Sequence, residues 1–205
     1  MYKLIGIVGS NAKSSTNRML LQYMKKAFAD KATIELLEID AFPLFNKPAF
    51  DQLPPVVIEV AAKIEQAQGV IISTPEYDHT IPAALNNALA WLSYGIYPFV
   101  DKPVMITGAS YGVLGSSRAQ QHLRQILDAP ELKARIMPSS EFLLGHSLKA
   151  FDETGNLVNA ENKIKLSKLF DEYLSFINVM EKVTQATSVH RKEAENYNWE
   201  KREVN

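Results

Sequence analysis

Residues 69–92 read GVIISTPEYDHTIPAALNNALAWL. The opening six, 69–74, form an apolar run closed by a serine and a threonine. A run with no polar alternation reads as a parallel strand buried on both faces. Residues 81–92 read as a helix with Pro82 in its first turn, where a missing N–H costs little. Pro75 and Pro82 stiffen the ends of the loop between them. That loop offers Glu76, Tyr77, Asp78 and His79, with Asp78 or Thr80 available to cap the helix. Strand, stiff loop and helix make one unit, and the fold depends on whether the chain repeats it.

It does, in both directions. YKLIGIV (2–8) is a strand and is followed by a helix from about Thr16 to Ala29. TIELLEI (33–39) is a second strand, and residues 56–68 a second helix. PVMITG (103–108) precedes a helix over 117–128, halted before Pro130. ARIMPSS holds a fifth strand, and residues 160–180 a last helix with apolar residues at helical spacing. Alternation of this kind predicts an α/β fold with a parallel sheet covered by helices on both faces. Right-handed crossovers place every strand-to-helix loop at the carboxyl edge of the sheet, where doubly wound folds bind ligands. The loops to read are therefore 9–15, 75–80 and 109–116.

Composition narrows the function classes. The 205 residues suit one domain, with a polar, mixed-charge tail over 181–205. That tail reads as a loosely ordered terminus, or as an arm docking Tyr197 and Trp199 on a neighbouring subunit. A net charge of -1 carries no bias toward a polyanion, so no nucleic-acid partner is expected. The chain has no cysteine, which excludes disulfides and thiolate metal sites and suits the cytoplasm. Its four histidines have no metal-ligand spacing, so no metal site is expected. No apolar run approaches the ~18 residues of a membrane span, and the first ten residues read as a strand rather than a leader.

GSNAKSSTNR (9–18) leaves a strand and enters a helix. Free amides at a helix N-terminus favour an anion. Ser10, Ser14, Ser15 and Thr16 add hydroxyls, Asn17 an amide and Lys13 a positive charge. Simple capping by Ser14 or Ser15 needs only one of them. The loop matches neither the Walker A pattern nor G-x-G-x-x-G, which argues against a nucleoside triphosphate or a dinucleotide held in the Rossmann manner.

GASYGVLGSS (108–117) contains Gly-x-Ser-x-Gly, which marks some serine hydrolases. A nucleophile elbow enters its helix at once. Here Gly115 and the capping pair Ser116-Ser117 delay the helix by some six residues, as in a loop that wraps a ligand. A triad of Ser110, Asp152 and His190 has the right chain order but draws its histidine from the polar tail.

Taken in order, GSNAKSSTN, PEYDHTIPAALNNALAW and KPVMITGASYGVLGSSRAQQHLR resemble the NAD(P)H-dependent FMN reductase family of flavodoxin-like proteins. The resemblance covers about residues 3–180. It implies a five-stranded sheet in the order 2-1-3-4-5, and a homodimer or homotetramer with FMN near a subunit boundary. It implies that Ser10, Ser15 and Asn17 bind the FMN phosphate; the make-up of the loop adds Thr16 and Lys13, with Lys13 or Arg18 standing in for the family's arginine. Pro75, Glu76, Tyr77 and Asp78 would line the isoalloxazine, and Ser110, Tyr111, Gly112 and Gly115 its pyrimidine side. The chain has Ala12 where the family usually has arginine, and Asp78 and Thr80 where asparagine and serine are usual. Asn86 and Ala90 replace a usual lysine and aspartate.

The implied activity passes hydride from NAD(P)H through FMN to a small acceptor such as a quinone, free flavin or azo compound, in ping-pong fashion. No catalytic acid or base is expected, because the cofactor carries the chemistry. A flavodoxin-type electron carrier and a flavin-binding sensor without turnover are the alternative readings.

Overall fold

Every residue of strands β3 (Gly69–Ser73) and β4 (Pro103–Ala109) is buried, as unalternating apolar runs require. They are the middle of a wholly parallel sheet in the order β2-β1-β3-β4-β5, with β1 at Tyr2–Val8 and β2 at Ala32–Leu37. The computed structural model describes residues 1–49, 52–138, 141–186 and 189–196. This is the flavodoxin-like arrangement, with helices on both faces.

Residue parity in the strands divides the core. Ile5, Ile7, Val70, Ile72, Val104 and Ile106 point to one layer, under α2 (Pro55–Gln66), α3 (Ala83–Trp91) and α4 (Ser117–Leu127). Leu4, Val8, Ile71 and Met105 point to the other, under α1 (Thr16–Ala27) and α5 (Ala160–Ala186).

Four local expectations change. The fifth strand is split: β5 (Arg135–Ile136) pairs with the start of β4, and β6 (Phe142–Leu144) with its end. Pro138 stands just beyond β5 and has no N–H for the ladder. Pro82 is the residue before α3 rather than in its first turn, with φ -58° and ψ 144°, and neither Asp78 nor Thr80 caps that helix. Ser116 precedes α4 as expected, but its hydroxyl makes no capping bond. Lastly, α5 passes through residue 180 unbroken to Ala186, and α6 (Val189–Asn196) follows. This last helix lies on its own chain, with Ala194 buried, His190 against Asp101 and Glu193 paired with Lys133. Tyr197 and Trp199 lie outside the described residues.

Candidate functional site

The loops after β1, β3 and β4 meet around one cavity of about 560 Å³. That is within the roughly 300–1,000 Å³ of small-molecule sites. Asn17 holds the three loops together from beneath. Its buried carboxamide donates to the Ala109 carbonyl (2.9 Å) and accepts from the Ala109 amide (2.9 Å) and the Ser73 hydroxyl (2.9 Å). One side chain in the first turn of α1 thus ties down the carboxyl ends of β3 and β4. Its carboxamide is committed there, which leaves the Asn17 backbone N–H as that residue's donor toward the cavity mouth.

The first loop is drawn tight by Arg18. Its guanidinium pairs with both oxygens of Glu38 (2.6 and 2.7 Å) and donates to the Ala12 and Lys13 carbonyls (2.9 and 3.1 Å). The bond to Glu38 raises the pKa of Arg18 above its ordinary value. Ser15 caps α1 by accepting from the Arg18 amide (3.3 Å), and Ser10 accepts from the Ala12 amide (3.2 Å). The amides of Thr16 and Asn17, in the first turn, have no acceptor within the helix. Short hydroxyls and first-turn amides line this end of the cavity, as an anion requires.

The second loop is a two-residue turn. Tyr77 and Thr80 exchange backbone bonds (3.0 and 2.9 Å), while Asp78 and His79 take φ of 48° and 65°. Two successive left-handed residues that are not glycine hold a strained backbone, a state found disproportionately at ligand sites. The Thr80 hydroxyl bonds the His122 Nδ1 on α4. Glu76 does what Ser116 does not: its Oε2 accepts from the amides of Arg118 (3.0 Å) and Ala119 (3.4 Å). These are the amides that an N-cap side chain ordinarily satisfies.

The third loop is clasped by the segment after β6. Ser110 donates its amide to the Leu144 carbonyl (3.0 Å), and His146 and Ser147 donate theirs to the Gly112 and Ser110 carbonyls (both 3.0 Å). Gly115 belongs to this clasp rather than to a ligand bed. With φ +59°, it lies where a Cβ would stand 2.5 Å from the Leu143 carbonyl carbon. A Cβ on Gly112 would meet nothing within 4 Å, so there the backbone is open to an approaching ring.

The hydrolase reading fails on position. The Ser110 hydroxyl donates to the Gly112 carbonyl (3.3 Å), and no histidine bonds to it among the described residues. His190 sits 3.0 Å from Asp101, before the first residue of β4, whereas Ser110 follows the last. The length of the strand separates them by roughly 20 Å.

Of the residues expected to bind a cofactor, all but Lys13 and Gly115 line the cavity. Lys13 is exposed and contributes a carbonyl to Arg18. The lining also includes Val113, Leu114 and Arg118. Arg118 lies within KPVMITGASYGVLGSSRAQQHLR, where nothing local in the sequence tells a ligand-facing residue from a solvated one.

The 2-1-3-4-5 sheet is that of the flavodoxin-like class, and hydroxyls and first-turn amides at a helix N-terminus, facing the 75–80 turn and an open glycine at its carboxyl edge, suit a mononucleotide. The hydroxyl-and-amide donor set of loop 9–18 suits the phosphate of FMN, and the 75–78 segment lining the other side of the cavity suits its ring. Within that class, the chain belongs to the NADPH-dependent FMN reductase family, whose family model matches residues 2–149.

Known proteins agree. The chain is 50% identical to the NADH:(hydroxy)cinnamate reductase subunit CrdA of Vibrio ruber, over 98% of each. It is 42% identical to the NADH-dependent flavin reductase subunit 2 of Lactobacillus johnsonii, over 88% of this chain and all of that one. It is 36% identical to the quinone reductase of Escherichia coli K12, over 77% and 85%. Among solved structures, FerB, an NAD(P)H:(acceptor) oxidoreductase from Paracoccus denitrificans, superposes with a TM-score of 0.80 at 25% identity, over 88% of this chain and 99% of that one.

Proposed function

We propose that the chain is an FMN-dependent oxidoreductase that takes hydride from NADH and passes two electrons to a small, flat acceptor such as a quinone or a free flavin. The observation that carries this reading is the single cavity joining the hydroxyl-rich α1 N-terminus to the 75–78 wall, in a chain of the FMN reductase family. The names of the 50% and 42% relatives favour NADH over NADPH.

FMN, when bound, supplies a centre that accepts hydride and gives it up again. The protein binds and orients it. Ser10, Ser15 and the first-turn amides of Thr16 and Asn17 hold the phosphate. Pro75, Glu76, Tyr77 and Asp78 would line the ring, and the backbone amides of Tyr111 and Gly112 would supply donors at its pyrimidine side, the Ser110 amide being held by Leu144. No side chain of the cavity needs to act as acid or base. Nicotinamide and acceptor would enter by the same cavity mouth in turn, which makes turnover ping-pong.

We place the enzyme in the cytoplasm; among the described residues no helix is long and apolar enough to cross a membrane. Exposed Tyr77, Tyr111, Val113 and Leu114 at the cavity rim support a homodimer or homotetramer whose subunit boundary runs beside the cavity and leaves its mouth open. Two relatives are named as subunits, which supports a second reading: the chain hands its electrons to a partner subunit.

The test is optical. Protein loaded with FMN is yellow and is bleached by NADH without oxygen; a quinone restores the colour. Failure of saturating FMN to bind refutes the assignment. Bleaching by NADH with no turnover on any small acceptor favours the partner-subunit reading. Light scattering gives two or four times the 23.0 kDa of one chain if the homo-oligomer is right.

A further inference from the structure

Arg118 stands where helix electrostatics disfavours it. It is the second residue of α4, and a cation in the first turn faces the positive end of the helix dipole. Residues that break a local rule without a packing gain mark function more often than fold. Its side chain is half exposed and lines the cavity, where it is the only lysine or arginine among the lining residues. Its one side-chain acceptor among the described residues is Glu76, with Nη1 3.3 Å from Oε1.

Glu76 is shared in that pairing: its other oxygen, Oε2, accepts from the amides of Arg118 and Ala119 at the start of α4, and only Oε1 faces the guanidinium. The guanidinium therefore spends one N–H donor on Glu76 and keeps the others for something else. Around it the rim offers flat or apolar surface from Tyr77, Tyr111 and Leu114. A cation beside aromatic rim residues suits a planar ring bearing an anionic group.

We infer that Arg118 sorts electron acceptors by charge, anchoring aromatic acceptors that carry a carboxylate or sulfonate. This rests on the reductase reading above, and it names a substrate class and the residue that selects it.

The test compares acceptors of one ring system: 1,4-naphthoquinone-2-sulfonate and 2-methyl-1,4-naphthoquinone, with NADH and FMN-loaded protein. In R118Q the KM ratio of sulfonate to methyl compound rises about tenfold, the lower end of what a charge-assisted hydrogen bond delivers. R118K recovers part of the difference. E76Q moves the ratio the other way, because it removes the competing carboxylate. Binding without turnover is read by calorimetry. FMN-loaded wild type prefers 2-naphthoate to 2-naphthamide, and R118Q loses the preference.

An unchanged ratio overturns the inference. So does a rise in the KM of NADH in place of the acceptor effect, which would assign the guanidinium to the dinucleotide phosphates. A selective loss of FMN relative to riboflavin overturns it too. If the wild-type holo-protein oxidises NADH with neither quinone, the reductase reading falls and this one with it. If it turns over both with no charge preference that depends on Arg118, only this inference falls.

Discussion

At the scale of single residues, the site separates groups that touch a ligand from groups that hold the first kind in place. Ser15 does both, lining the cavity and capping α1. Asn17 looks like Ser15 in sequence, yet its carboxamide serves Ala109 and Ser73. The two therefore respond differently to alanine. Ser15→Ala weakens FMN more than riboflavin, because it removes a hydroxyl at the phosphate end. Asn17→Ala weakens both flavins alike and leaves a buried amide and hydroxyl without partners. That costs about 2–4 kcal/mol and lowers the melting temperature by roughly 5–15 °C. Flavin titrations by fluorescence quenching and a thermal melt check both. Greater loss of FMN than riboflavin in Asn17→Ala would return its side chain to the phosphate. The residue types of this loop were legible in the sequence. Which of them faced inward was not, because Asn17 finds its partner at Ala109, 92 positions away.

At the scale of elements, α5 does more than cover a sheet face. Tyr173 is fully buried and donates to the carbonyls of Val70 (2.8 Å) and Pro103 (3.0 Å). It thus joins the starts of β3 and β4 to the helix. Burial holds its phenol well above the ordinary value of 10.0, with the bond to Val70 a smaller opposing effect. The sign follows from that. A folded-state pKa above the unfolded one contributes stability in full below about pH 10, which is lost as pH rises toward the folded value. Tyr173→Phe removes this alkaline sensitivity. It also costs about 1–2 kcal/mol at neutral pH, because two carbonyls lose their donor. Urea unfolding at pH 8 and pH 10.5 separates the effects: the gap between variant and wild type narrows at the higher pH. A gap that stays constant would mean that the phenol titrates normally. The period of apolar residues announced α5 itself. β6 is not legible in the sequence, because three residues after a proline break carry too little pattern to register as a strand.

At the scale of the whole molecule, the two edges of the sheet have separate work. The carboxyl edge gathers the cavity. The opposite edge holds Asp101, whose carboxylate takes Arg135 (2.7 Å) and His190 (3.0 Å) and so ties α6 to the strand starts. This separation is what denies Ser110 a triad. Ser110→Ala retains reductase turnover within about tenfold of wild type, whereas loss of a true nucleophile costs several orders of magnitude. NADH oxidation with 2-methyl-1,4-naphthoquinone, alongside nitrophenyl acetate hydrolysis, reads both. Appreciable esterase activity that vanishes with Ser110 would reinstate the hydrolase. The β/α alternation and the three loops at the sheet's carboxyl edge were readable along the chain, because apolar period and turn chemistry are local properties; the strand order came only with the FMN reductase resemblance. The Asn17 clamp, the capping of α4 by Glu76 and the cation left at the rim were decided by tertiary structure alone. Each rests on hydrogen bonds between groups 42 to 92 positions apart, which become neighbours only after the parallel sheet has brought the strand ends together.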